Sequence, residues 1–222
     1  MEKIDRRRTY YIVFDTETTN GLDDPIVYDI GGAVVDRTGK VYDTFSFVVF
    51  ETFCRMRELM KTAYYADKIP RYEEQIKNGE RTIHTWYYIK RYIEELTAKY
   101  DVKYFVAHNA RFDYKSTATT QRYLTKSKYR YFLPFGTILY DTLKMAQDTI
   151  CKQKLYIEWA HKNGYIRTDG KVRATAEILY KYITNNMNFE ESHTGLEDVL
   201  IEKEILAKCL AQHKPMRKTA FN

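Results

Sequence analysis

No apolar run in this 222-residue chain approaches the ~20 residues that a membrane-spanning helix needs. The segment Met1–Arg8 is mostly charged and has no apolar centre, so it does not read as a secretory signal. Cysteine is scarce: Cys54, Cys151 and Cys209 are far apart and odd in number. That excludes a disulfide framework and any metal-ligand spacing, and fits reduced thiols in a cytoplasmic protein. With only four prolines and nine glycines, no linker, repeat or low-complexity stretch stands out. One domain over 1–222 is expected, with basic tails at 1–8 and 214–222. Those tails carry most of the formal net charge of +6, so global basicity says little about partners.

Acid is missing from one internal stretch. Between Asp113 and Asp141 there is no carboxylate, but there are Lys115, Arg122, Lys126, Lys128 and Arg130, interleaved with Tyr123, Tyr129 and Tyr131. Cations for phosphates beside rings for bases are what a single-strand binding surface needs. A solvated helix face running into a loop gives the same pattern. The abundance of tyrosine, 21 residues, reads as a compositional bias.

What the chain has in quantity is apolar sequence, 44 % of it, enough for a sizeable core. Residues 9–15, 27–35 and 41–50 read as three strands joined by short connections, the second containing Gly31-Gly32 where another backbone approaches closely. Residues 52–78 are expected to be helical with a break near Pro70. Trp86, Ile89, Ile93 and Leu96 give a helix over 84–100. Short strands at 104–107 and 137–140 alternate with helices at 111–124, 141–150, 153–163, 174–186 and 195–212. The expected architecture is α/β, a mixed five-stranded sheet flanked by helices.

The apolar run Tyr10–Phe14 ends in Asp15-Thr16-Glu17. Strand side chains alternate, so Asp15 and Glu17 share a face. Two adjacent carboxylates repel, and a shared hard cation such as Mg²⁺ or Mn²⁺ removes that cost. An acidic turn gives the same letters. Asp113 follows the strand end in His108-Asn109-Ala110-Arg111-Phe112-Asp113, where ligand sites form in open α/β sheets. Thr194 and Glu197 fit a capping box, which puts Asp198 in the first turns of a helix and leaves His193 outside it as a base.

These segments, Phe14-Asp15-Thr16-Glu17-Thr18-Thr19, His108 to Asp113 and His193-x4-Asp198, resemble in order and spacing the three motifs of DEDDh (DnaQ-like) 3′-5′ exonucleases. The resemblance covers roughly residues 9–212, and Asp141-Thr142-Leu143 adds to it. It implies an RNase H-like fold and hydrolysis of terminal phosphodiesters with two divalent ions, Mg²⁺ or Mn²⁺. Asp15, Glu17, Asp113 and Asp198 match the metal ligands and His193 the general base. Thr18 and Asn109 match positions that hold the terminal nucleotide. Asn20 departs from the pattern, which often has glycine there. The partner implied is a single-stranded 3′ end, of DNA or alternatively RNA, with Lys126, Lys128 and Arg130 as further substrate contacts. A proofreading subunit beside a DNA polymerase and a hydrolase of small phosphates are the competing readings. His84, His108, His161 and His213 have no recognisable partner and are expected to play no catalytic part.

Overall fold

The computed structural model describes residues 4–21 and 23–221; residues 1–3 and 222, parts of the two expected tails, lie outside the described residues, as does Leu22. The described residues form strands β1 (Tyr10–Thr19), β2 (Ile26–Asp36), β3 (Val41–Val49), β4 (Thr82–His84), β5 (Tyr104–Ala107) and β6 (Ile138–Asp141). The helices are α1 (Arg57–Met60), α2 (Ile69–Lys77), α3 (Trp86–Tyr100), α4 (Arg111–Leu124), α5 (Thr142–Asp148), α6 (Lys154–Lys162), α7 (Ala176–Thr184) and α8 (Gly195–Ala211). No helix among the described residues is long and apolar enough to cross a membrane.

The sheet is mixed and has six strands, not five, in the order β4-β3-β2-β1-β5-β6. β1, β2 and β3 are antiparallel neighbours, while β5 and β6 run parallel to β1. The additional strand, β4, pairs parallel with β3 over three residues, too few to leave an alternating pattern in the sequence. Pro70 does not break a helix but sits in the first turn of α2, where its missing N–H costs nothing. The helical reading of 52–78 fails at residues 61–65, which form no helix.

β1 is longer than its apolar run. Alternate residues Tyr10, Ile12 and Phe14 enter a core with α3, and Tyr11 and Val13 enter another with α5–α8. Asp15 and Glu17 continue the second stripe, so the same periodicity that fills the core aims both carboxylates toward α8. β5 pairs with β1 only through Val13, so β1 runs on past its neighbour. The polar Thr16–Thr19 stretch remains strand because β2 still pairs with it, through a bulge between Glu17 and Thr18.

Gly31 admits α8 to the sheet. A Cβ there would lie 2.1 Å from the backbone nitrogen of Leu196, the close approach expected from the sequence. The C-terminal segment is not a solvated tail. Asp141 donates its N–H to the Lys218 carbonyl and Ala220 to that of Leu139, closing the β6 edge.

Candidate active site

Carboxylate oxygens of Asp15, Glu17 and Asp198 all lie within 4.8 Å of one another. They come from β1 and the first turn of α8, elements brought together at Gly31. Asp113, buried in the first turn of α4, accepts hydrogen bonds at Oδ1 from Thr16 N–H (3.2 Å) and Thr16 Oγ1 (2.9 Å). These bonds occupy the β1 edge that β5 leaves unpaired and turn Asp113 toward Asp15. All four carboxylates line one cleft of about 840 Å³, together with His193, Thr18 and Asn109.

Motif two is held by its neighbours. Asn109 adopts a left-handed backbone (φ 64°), and its N–H donates to Asp141 Oδ1 at 3.1 Å. The same oxygen caps α5 through Leu143 N–H. Asp141 is thus a brace between two helix starts. His108, expected to play no catalytic part, is half-buried and bonded at both ring nitrogens, to Thr142 Oγ1 (3.0 Å) and the Ala174 carbonyl (2.8 Å). Burial holds its pKa below the ordinary value, so it is neutral, with Nε2–H donating to the carbonyl.

The start of α8 departs from the expected capping box. The Thr194 hydroxyl makes no bond to a helix N–H and instead donates to Glu197 Oε2 at 2.5 Å. The reason is a buried cation. Arg81, 3 % exposed, bonds Glu197 (2.7 Å), Asp29 (2.9 Å), Ser46 and Gln75, and so draws Glu197 away from the cap. Asp29 in turn accepts Gly195 N–H (3.0 Å) and Tyr72 Oη (2.8 Å). This network fixes the helix start that carries Asp198.

His193 lies just outside α8 with a left-handed backbone (φ 54°), uncommon for a non-glycine residue. Its ring stacks on Tyr65, centroids 4.2 Å apart and planes 9° apart. Burial first, and Lys68 second, hold its pKa below the ordinary histidine value, so the ring is neutral near pH 7 and able to accept a proton. Tyr64 and Tyr65 also line the cleft; their segment is tied to motif one by Tyr64 N–H to the Thr18 carbonyl and Asn20 N–H to Thr62 Oγ1.

Sequence reasoning missed a fifth carboxylate. Glu202, one turn beyond Asp198, is 3 % exposed and lines the cleft. Its Oε1 accepts His108 N–H, while Oε2, like Asp198 Oδ1, is buried with no hydrogen-bond partner among the described residues. An acidic residue four places after the helix Asp was the available signal. Lys126, Lys128 and Arg130 do not line the cleft. They follow the end of α4, whose 11 residues beyond Asp113 lead away from it over about 16 Å at 1.5 Å per residue. The cations that do line the cleft are Arg167 and Arg173.

Burial raises every carboxyl of the cluster: Asp15 well above the usual range, Glu17 to about 10, Asp198 to about 8 and Asp113 to about 7. Nearby carboxylates add to it: other cluster members at Asp15 and Glu17, Glu191 and Glu197 at Asp198, and Asp141 at Asp113, where the Thr16 hydrogen bonds oppose it. A divalent cation among them reverses that cost, and oxygen donors suit Mg²⁺ or Mn²⁺. Raised folded-state pKa values mean that the folded metal-free protein holds more protons than the unfolded chain. Its stability therefore falls as pH rises from the ordinary carboxylate range toward about 10, the value to which Glu17 is raised. Melting in EDTA and in Mn²⁺ between pH 5 and 8 is expected to show a gain from Mn²⁺ that grows with pH. A gain independent of pH would show that the ion binds elsewhere.

By sequence, no family model and no curated protein matches this chain. By structure it is similar to a 3′-exonuclease solved for 3′-end specific recognition of a histone mRNA stem-loop. That match has TM-score 0.55 and 13 % identity, over 98 % of this chain and 69 % of the other. Escherichia coli exonuclease I in complex with a dA16 oligonucleotide matches with TM-score 0.51 and 13 % identity, over 92 % of this chain and 41 % of the other. Cell-death related nuclease 4 matches with TM-score 0.50 and 10 % identity, over 95 % and 67 %. The chain thus spans about two fifths of exonuclease I. Likeness at this identity establishes the fold, which is the RNase H-like α/β fold that the motifs implied.

Proposed function

We propose that this chain is a DEDDh-type 3′-5′ exonuclease that shortens single-stranded nucleic acid, releasing nucleoside 5′-monophosphates. The observation that carries this reading is the convergence of Asp15, Glu17 and Asp198 within 4.8 Å, in a cleft that Asp113 and His193 also line. Asp15, Glu17, Asp113 and Asp198 would hold divalent cations, which supply Lewis acidity to the phosphate and acidify a water. His193 takes the proton of that water, its ring kept in place by Tyr65. The oxygen adds to phosphorus, the bond from phosphorus to the penultimate 3′ oxygen breaks, and that oxygen takes a proton from solvent while His193 gives its proton back to solvent. Thr18 and Asn109 hold the terminal nucleotide. DNA is the preferred reading of the substrate, with RNA the alternative, since no residue is identified that meets a 2′-hydroxyl.

A 20-nucleotide strand of DNA or RNA with a 5′ label, incubated with Mg²⁺ or with EDTA, tests this. A ladder that shortens from the 3′ end in Mg²⁺ alone is expected, with 5′-mononucleotides as product. Absence of metal-dependent shortening, or loss of the 5′ label first, overturns the proposal.

A further inference from the structure

We propose that the hairpin Tyr165–Thr175 is the arm that grips the substrate strand: Arg167 and Arg173 bind phosphates next to the cleft, and a cationic groove past Lys171 and Arg217 takes the strand onward. The inference rests on the nuclease reading of the cleft but concerns a surface that reading does not use.

The hairpin is built in two faces. Ile166 bridges Val172, and Gly170 (φ 77°) turns the chain between them. Ile166, Val172 and Ala174 pack onto the core beneath, so by strand alternation Arg167, Lys171 and Arg173 face outward, and all three are exposed. Asp169 is shared between Arg167 (3.4 Å) and Lys171 (3.5 Å), one carboxylate for two cations. Among the described residues no carboxylate pairs with Arg173, which lines the cleft that also holds six acids, the five above and Glu191. An unpaired guanidinium across a cleft from a carboxylate cluster suits an anion that bridges the two, and phosphodiester oxygens fit its fork.

The position of the hairpin is set from the site itself. His108, adjacent to Asn109, donates through Nε2 to the Ala174 carbonyl. The hairpin is thereby fixed one residue from Arg173 by the segment that carries Asn109 and Asp113. A second cavity shares Gln147, Arg167 and Val172 with the cleft and continues past His161, Lys171 and Arg217. Arg217 is oriented by Asp148 (2.8 Å) in the docked C-terminal segment. The positive face is therefore continuous with the site, whereas the 126–130 cations stand at the far end of α4. The chemistry recognised is the backbone phosphates that DNA and RNA share.

The test compares Arg167→Glu/Arg173→Glu with Lys126→Glu/Lys128→Glu/Arg130→Glu on 20-mers of DNA and of RNA, and on a nitrophenyl diester of one nucleotide. The hairpin variant is expected to raise KM for both strands at least 10-fold and to affect the nitrophenyl diester, which has a single phosphate, much less. Losing two phosphate contacts lowers the salt slope of strand binding by about 1.4, at about 0.7 per contact on single strands. Rises confined to RNA or to DNA would assign the arm to sugar or base contacts and overturn the phosphate grip. So would equal loss on all substrates, an unchanged KM, or a larger effect from the 126–130 reversal. If wild type cleaves nothing, fluorescence anisotropy of the labelled 20-mers separates the two readings. A 10-fold weaker binding by the hairpin variant then supports the arm while the nuclease proposal falls, and undiminished binding overturns both.

Discussion

Asp15→Asn is expected to lower metal-dependent strand cleavage by about 10³-fold or more while leaving a folded protein. The argument is electrostatic. Asp15 is pressed by four neighbouring carboxylates: after burial, its pKa is raised by Asp113, Glu202, Glu17 and Asp198 in turn. It stands between the β1–α8 carboxylates and Asp113, so an ion anywhere in the cluster is held partly by it. Metal coordination supplies several kcal/mol of charge stabilisation, and each 1.36 kcal/mol is tenfold in rate. The amide also replaces a carboxyl that the metal-free fold holds away from its ordinary ionised state, so in EDTA at pH 8 the variant should melt higher than wild type. At about 2–4 °C per kcal/mol for a chain of this size, relief of 1 kcal/mol is measurable. The expected signature is therefore paired: activity lost, metal-free stability gained, and the Mn²⁺-induced rise in melting temperature reduced. Wild-type cleavage by the variant, or an undiminished response to Mn²⁺, would sink the assignment.

How much of this was visible in the sequence follows from the range of each interaction. Asp15 and Glu17 were legible because strand alternation is local, and Asp113 and Asp198 because each follows a recognisable strand or helix start. Gly31 was legible as a close approach, although not what approaches it. The real length of β1 was hidden, since Thr16–Thr19 is held as strand by a bulge, by β2 and by the Asp113 side chain rather than by its own apolar pattern. The capping-box reading failed because Arg81, 116 positions from Glu197, outbids the cap for that carboxylate. The cationic hairpin, between the helices expected at 153–163 and 174–186, received no reading because Ile166, Val172 and Ala174 alternate over too few residues to register as strand. The placement of the basic surface followed charge counting along the chain, which cannot tell which end of α4 faces the site.

The second large effect belongs to Arg81, which touches neither the cleft nor any group proposed to meet substrate. Arg81→Ala is expected to cost about 3–5 kcal/mol, the usual penalty for removing one partner of a buried ion pair. Asp29 is fully buried and Arg81 nearly so, and the guanidinium spends all three nitrogens on Asp29, Ser46, Glu197 and Gln75. Its loss leaves Asp29 with only the Gly195 N–H and the Tyr72 hydroxyl, in a setting where burial already raises its pKa. A fall in melting temperature of about 10 °C follows at 2–4 °C per kcal/mol. The loss should reach catalysis as well, because Asp29 and Glu197 are the two anchors of the α8 start that carries Asp198 and, just before it, His193. Its signature is in kcat at temperatures where the variant is folded, with KM for a 20-mer little changed, the reverse of the hairpin substitutions. Arg81→Met/Asp29→Asn separates the two roles: removing both charges recovers much of the stability, since no buried carboxylate is left alone. Glu197 still lacks its arginine in that variant, so kcat should stay low. Full recovery of both stability and kcat would mean that the network only pairs charges and does not position the helix.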